Sequence, residues 1–260
     1  MPLKKEIKKV YFKFRRLIGL PLWDTGISTF AIAPSRISEL RAEAKTDIER
    51  LFYDHQGREV GKWVHYLPIY ERYFAPRRGS AVRMLEIGVS HGGSLELWRR
   101  YFGPTATIFG IDIDPACARR FDPPNQVRIG SQDNPAFLES VVREMGGLDI
   151  VLDDGSHVGR HQIASFRTLF PLLAEGGLYL IEDLHASYWA EAGGGVRRPG
   201  TAIEYVKTMI DDLHGWYHFK ALGTPAKDEI GFVHFYDSMV VIEKRRRLRP
   251  GHIRVGRRTP

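Results

Sequence analysis

Two short segments concentrate the residues able to do acid–base or metal chemistry: VLDDGSH, Val151 to His157, and IED, Ile181 to Asp183. They carry four carboxylates, Asp153, Asp154, Glu182 and Asp183, and one histidine, His157. Carboxylates crowded at one place repel unless a cation shares them. Oxygen ligands suit a hard ion such as Mg²⁺ better than zinc. A neutral imidazole three residues beyond Asp154 can take a proton from a substrate hydroxyl whose pKa the ion lowers. The plainer alternative for His157 is a turn histidine bonded to backbone. His161 is expected on the following helix in a structural role.

A third segment, MLEIGVSHGGS from Met84 to Ser94, places Glu86 and Gly88 before Gly92, Gly93 and Ser94. Glycines at a strand-to-helix turn let backbone approach a ligand, and a helix start offers free N–H donors. The spacing is not the GxGxxG of dinucleotide enzymes, and an acid precedes the first glycine. A carboxylate there suits a cationic amino group; a plain glycine turn is the alternative. Asp112 follows Glu86 by 26 residues and can accept hydrogen bonds from ribose hydroxyls. Asp114, before Pro115, is read as a helix cap. Gln132 and Asp133 can reach an adenine edge, although Asp133 or Asn134 can equally cap a helix beginning at Pro135.

These residues need elements to position them. Strands are expected at 82–89, 107–114, 126–130, 148–154 and 178–183, and helices at 94–102, 135–145, 164–177 and 201–216. Gly176 and Gly177 are an expected helix end. The run Glu229 to Lys244 reads as a hairpin turning at Tyr236–Asp237–Ser238. Alternation of strand and helix implies a Rossmann-like α/β fold: a mostly parallel sheet with helices on both faces and a C-terminal antiparallel hairpin. The acids then fall at carboxyl ends of strands, where open α/β sheets bind ligands. The segment 54–74, rich in His, Tyr and Trp, is placed to fold over that rim. Gly193 to Gly195 lie in a loop that serves as a lid or as a plain flexible connection.

At 43% hydrophobic and 27% charged residues, the chain has the composition of a soluble globular domain. No apolar run reaches the roughly 20 residues of a membrane span. The lone Cys117 cannot form an internal disulfide, so a cytoplasmic setting is the default. The net charge of +7 is uneven: residues 1–16 carry +6 and residues 244–260 carry +8, leaving −7 between. An acidic body argues against a nucleic-acid surface around the site. The basic ends either keep the chain soluble or meet phosphates, anionic lipid or an acidic neighbour. Residues 1–57 read as a basic helical extension, 58–243 as the catalytic domain and 244–260 as a basic tail. Within the extension, Tyr11 to Trp23 form an aromatic, basic set suited to a membrane surface or a partner subunit, and 35–52 reads as a helix.

The stretches LEIGVSHGGSLELW, GIDID, LDDGSH and FRTLFPLLAEGGLYLIEDLHASYW resemble class I S-adenosylmethionine-dependent methyltransferases. More narrowly, they are similar to the metal-dependent sugar O-methyltransferases of the mycinamicin 2″-O-methyltransferase group, over roughly residues 58–240. The resemblance implies methyl transfer from S-adenosylmethionine to a sugar hydroxyl on a small molecule or glycan. It implies Asp154, Glu182 and Asp183 as Mg²⁺ ligands and His157 as the base. Glu86, Gly88, Ser94, Asp112 and Asp153 would stand on the cofactor side. His91 departs from the expected glycine loop, and residues 1–50 do not match the auxiliary domain through which some relatives assemble. His65 and Tyr66 fall where a substrate cover is expected. A catechol or phenol acceptor, a non-catalytic nucleoside-binding scaffold and RNA methylation are the rival readings; a homo-oligomer is compatible with each.

Overall fold

The structure, a computed structural model, describes residues 32–119, 126–218 and 228–257. The chain divides into two compact units between Lys45 and Thr46. In the first, a 3-10 turn at Pro34–Arg36 leads into α1 (Ile37–Glu43). The aromatic, basic set from Tyr11 to Trp23 lies outside the described residues. The single helix expected over 35–52 is interrupted, because Thr46 starts a new one, α2 (Asp47–Tyr53). The Thr46 hydroxyl accepts from the Glu49 N–H while the Glu49 carboxylate accepts from the Thr46 N–H, a reciprocal cap. The compact second unit begins at Thr46.

The second unit continues through α3 (Leu67–Phe74) into β1 (Arg83–Ile87), α4 (Gly93–Phe102), β2 (Thr107–Asp112) and α5 (Pro115–Arg119). It then runs through β3 (Gln126–Ile129), α6 (Pro135–Met145), β4 (Ile150–Asp153), α7 (Gly159–Leu169) and β5 (Leu178–Ile181). It closes with α8 (Ala202–Leu213), β6 (Ile230–Tyr236) and β7 (Met239–Lys244). The strands form one sheet in the order β3-β2-β1-β4-β5-β7-β6, parallel from β3 to β5, with β7 antiparallel to both neighbours. This is the expected Rossmann-like arrangement, and the hairpin turns at Asp237–Ser238 as expected. The expected helix over 164–177 begins earlier, at Gly159, and stops as a 3-10 turn at Phe170–Leu172. Pro171 explains the stop, since its ring removes an N–H and crowds the preceding turn.

Alternate residues of each strand feed opposite faces of the sheet. Leu85 and Ile87 join Phe109, Leu138, Phe166 and Val206 under α6, α7 and α8. Met84, Ile108 and Leu152 join Tyr70, Phe74 and Trp98 under α3 and α4. Burial of this double core, at about 25 cal/mol per Å² of apolar surface, holds the strand ends in fixed relation. Strand order reverses between β1 and β4, so a crevice opens there at their carboxyl ends.

Candidate active site at the strand rim

The crevice is lined first by loops after β1, β2 and β4. Gly88 adopts φ +91°, and a Cβ there would meet the Asp154 carbonyl oxygen at 2.2 Å. Only glycine lets the β1 and β4 loops come this close. Gly92, at φ +84°, starts α4. Asp112 binds the loop from below: its Oδ2 accepts from the N–H groups of Val89 and Ser90 at 2.9 and 3.0 Å, and its Oδ1 from Asp114 at 2.8 Å. Burial would raise the Asp112 carboxyl, but these backbone N–H groups outweigh it and hold the pKa below the ordinary value.

Two adjoining clefts share Gly88, Asp112 and Gly155. One, of about 190 Å³, is walled by Ile87, Ile111, Ile113 and Gln132. The other, of about 390 Å³, is bounded by Lys62, the 88–94 loop, Asp154 and His157. The first suits a flat apolar group and the second a polar, charged one. Glu86 lies fully buried behind Ser94, accepting from its hydroxyl at 2.8 Å. Burial pushes its carboxyl up to about 7 against the pull of Lys62.

Not every residue expected on the cofactor side reaches it. Asp153 has no exposed surface; it accepts from Gln132 Nε2 at 3.1 Å, the Ser165 hydroxyl at 2.6 Å and the Tyr179 hydroxyl at 3.0 Å. Its part is to hold Gln132, whose Oε1 in turn accepts from the Ser156 N–H at 2.8 Å. Gln132 lines the apolar cleft. Asp133 is exposed and turned to Ser131 and His161 instead. Asn134 is the cap of α6, accepting from the Phe137 N–H at 3.2 Å, and Asp114 accepts from Ala116 at 2.9 Å.

The acid rim lies beside the larger cleft. His157 Nε2 is 3.9 Å from Asp154 Oδ1 and 3.7 Å from Asp183 Oδ2. These three atoms lie within 4.8 Å of one another, and among the described residues they are the group able to hold a metal ion. The remaining oxygens are engaged. Asp183 Oδ1 accepts from Trp63 Nε1 at 3.1 Å and from the Tyr66 hydroxyl at 2.9 Å. Asp154 Oδ2 accepts from Lys62 Nζ at 2.5 Å.

Glu182, the third expected ligand, is paired within the protein. It is 1% exposed, and its Oε2 accepts from Lys62 at 2.8 Å while its Oε1 accepts from the Tyr70 hydroxyl. The cation that relieves its charge in this structure is an ammonium. A divalent ion fits the rim through Asp154 Oδ1 and Asp183 Oδ2, for which the described residues offer no hydrogen-bond donor, with His157 facing both.

Lys62, Trp63 and Tyr70 escaped the sequence reading, which placed their segment over the rim without assigning them chemistry. Tyr66 and Tyr70 stand one helical turn apart, a spacing that puts two hydroxyls on one face of the chain entering α3. Beyond Asp183, His185 packs against Trp189 with ring centroids 4.6 Å apart and edge-on to Trp63 at 5.7 Å. No described helix is long and apolar enough to cross a membrane.

Residues 85–184 match the family model described as a methyltransferase domain. Over 214 residues the chain is 42% identical to the 8-demethyl-8-(2-methoxy-alpha-L-rhamnosyl)-tetracenomycin-C 3′-O-methyltransferase of Streptomyces olivaceus, covering 77% of this chain and 54% of that protein. It is 34% identical to the mycinamicin VI 2″-O-methyltransferase of Micromonospora griseorubida, covering 78% of this chain and 53% of that one. The chain spans about half the length of the curated relatives it matches. Among solved structures it is similar to the MycE methyltransferase of the mycinamycin pathway in complex with Mg, SAH and mycinamycin VI. That match has a TM-score of 0.70 at 30% identity, over 84% of this chain and 63% of that one.

Proposed function

For a chain that carries an S-adenosylmethionine-dependent methyltransferase domain and is related to the MycE-type sugar O-methyltransferases, we propose Mg²⁺-dependent transfer of a methyl group to a sugar hydroxyl of a glycosylated natural product. The observation that carries this reading is adjacency. A two-part cleft organised by Asp112 is walled by Asp154 and His157, and Asp183 lies within 4.8 Å of both.

In this reading the nucleoside lies along the apolar cleft, with its ribose hydroxyls on Asp112. Ile113, 72% exposed beside Asp112, offers an apolar face for the base. The aminoacyl part lies in the polar cleft, near Glu86 and the start of α4. A methyl donor in this position points its reactive carbon toward the acid rim. There Asp154 and Asp183 would hold the ion, which supplies a positive charge that lowers the pKa of the acceptor hydroxyl. His157 Nε2 faces the same point and takes the hydroxyl proton; its Nδ1 is buried without a hydrogen-bond partner, so Nε2 is the working nitrogen. Trp63, His185 and Trp189 provide flat faces beside Asp183 against which a sugar ring can pack. Rate comes chiefly from holding donor carbon and acceptor oxygen in line.

The test is calorimetric titration of S-adenosylmethionine into the chain and its Asp112→Ala variant, followed by methylation assays. The acceptors are a rhamnosylated aglycone, the free aglycone and a catechol, each with Mg²⁺ and with excess EDTA. The expected result is a loss of cofactor affinity of about tenfold or more in Asp112→Ala and methylation of the glycoside only, abolished by EDTA. Methylation of the catechol in preference to the glycoside would replace the sugar reading. Absence of cofactor binding in the parent chain would remove methyl transfer.

A further inference from the structure

Lys62 is left without a role by the methyl-transfer reading. It comes from the segment ahead of α3, yet its ammonium touches the ends of three strands or their loops. It lies 2.5 Å from Asp154 Oδ2, 2.8 Å from Glu182 Oε2 and 3.9 Å from Glu86 Oε1. Its side chain is 3% exposed. A buried ammonium costs several kcal/mol unless it is well paired. The carboxylates supply that pairing, and the ammonium in turn relieves their mutual repulsion.

We infer that Lys62 is a resident counter-cation that competes with the divalent ion for Asp154 and Glu182 and is displaced when the ion binds. This rests on the metal reading above. With Lys62 seated, the carboxylate oxygens open to an ion are Asp154 Oδ1 and Asp183 Oδ2, with His157 Nε2 beside them. With Lys62 withdrawn, Asp154 Oδ2 and Glu182 Oε2 are released as well. Glu182 thus changes role between the two arrangements: it pairs with the ammonium in one and is available to the ion in the other. The adjoining Gly61 is exposed, and beyond its chain neighbours no described atom lies within 4 Å of where a side chain would begin, so the space beside the Lys62 backbone is open. Two cations sharing one acid cluster oppose each other, so Lys62 sets the concentration of ion at which the rim fills.

Mg²⁺ is titrated by calorimetry into the full chain and into Lys62→Met and Lys62→Gln, the second of which keeps a hydrogen-bond donor at the acids. Both variants are expected to bind Mg²⁺ about tenfold or more tightly than the parent. Both should also melt at lower temperature in EDTA and recover with Mg²⁺ to a greater extent than the parent does. In the unaltered chain, acetylation of Lys62 by acetic anhydride, followed by mass spectrometry, is expected to rise several-fold when Mg²⁺ is added. Unchanged acetylation, with Mg²⁺ bound, overturns the displacement whether or not the variants fold. Equal or weaker Mg²⁺ affinity in a folded variant overturns the competition and leaves the metal reading standing. No Mg²⁺ binding by parent or variants overturns both.

Discussion

His157 Nε2 stands 3.7 Å from Asp183 Oδ2, and both residues hold a left-handed backbone, at φ 54° and 53°. They lie on different loops, one after β4 and one after β5. A non-glycine residue in this region costs about 1–3 kcal/mol and persists where its surroundings hold it. Asp183 is held by Trp63 and Tyr66. The two loops therefore turn an imidazole and a carboxylate toward one point at an energetic cost, in keeping with a site that works on a ligand between them.

If His157 removes the acceptor proton, His157→Ala lowers kcat by roughly 10²–10⁴-fold and leaves cofactor affinity near that of the parent. Steady-state kinetics and titration of S-adenosylmethionine together check this. Full turnover in the variant would remove the base role.

Gly88→Ala is expected to damage fold and cofactor binding together. The new Cβ would sit 2.2 Å from the Asp154 carbonyl oxygen, at a φ that disfavours any side chain. We expect at least about 2 kcal/mol of lost stability and a large fall in cofactor affinity, read by thermal melts and calorimetry. A variant that binds normally would mean that the β1 and β4 loops are free to separate.

Asp153→Ala separates scaffold from cofactor contact. Removing the carboxylate takes away the acceptor that Ser165, Tyr179 and Gln132 share in the core and leaves a cavity there. The expected cost is about 2–4 kcal/mol, seen in chemical denaturation, with cofactor affinity of the folded fraction changed little. A selective loss of affinity at unchanged stability would restore Asp153 to the cofactor side.

Asp149 provides a pH test away from the rim. Burial would raise its carboxyl, but Arg83 donates from Nε, Nη2 and its backbone N–H, each at 2.8 Å, and the pKa falls below its ordinary value. A depressed folded pKa means stability that is present above the unfolded value, about 4, and is lost as pH falls through the folded one. Asp149→Asn should therefore melt below the parent at neutral pH, with the gap closing under acid. A gap constant down to strongly acidic pH would contradict the pairing.

Much of the fold was legible because its signals are local. Apolar runs such as LYLI, the Gly176 turn and the two-residue hairpin tip at Asp237–Ser238 each follow from a few neighbouring residues. The same holds for the acids at the ends of β4 and β5, since their place on the rim follows from where the apolar runs stop. The break at Thr46 was also local, as its hydroxyl and Glu49 form the cap, but a continuous helical pattern concealed it.

By itself, then, the chain's sequence determined the order of strands and helices, the glycine turn at Gly88 and the gathering of Asp153, Asp154, Glu182 and Asp183 with His157 at neighbouring strand ends. Only the tertiary structure decided which acids are free and which are held. Asp153 and Asp154 are neighbours, yet the first ends the buried strand and the second begins the half-buried loop that walls the cleft, so one serves the core and the other the site. Lys62 reaches Asp154 across 92 residues and Glu182 across 120. Charge pairing of that kind depends on distance through space, and it leaves no periodic trace along the chain.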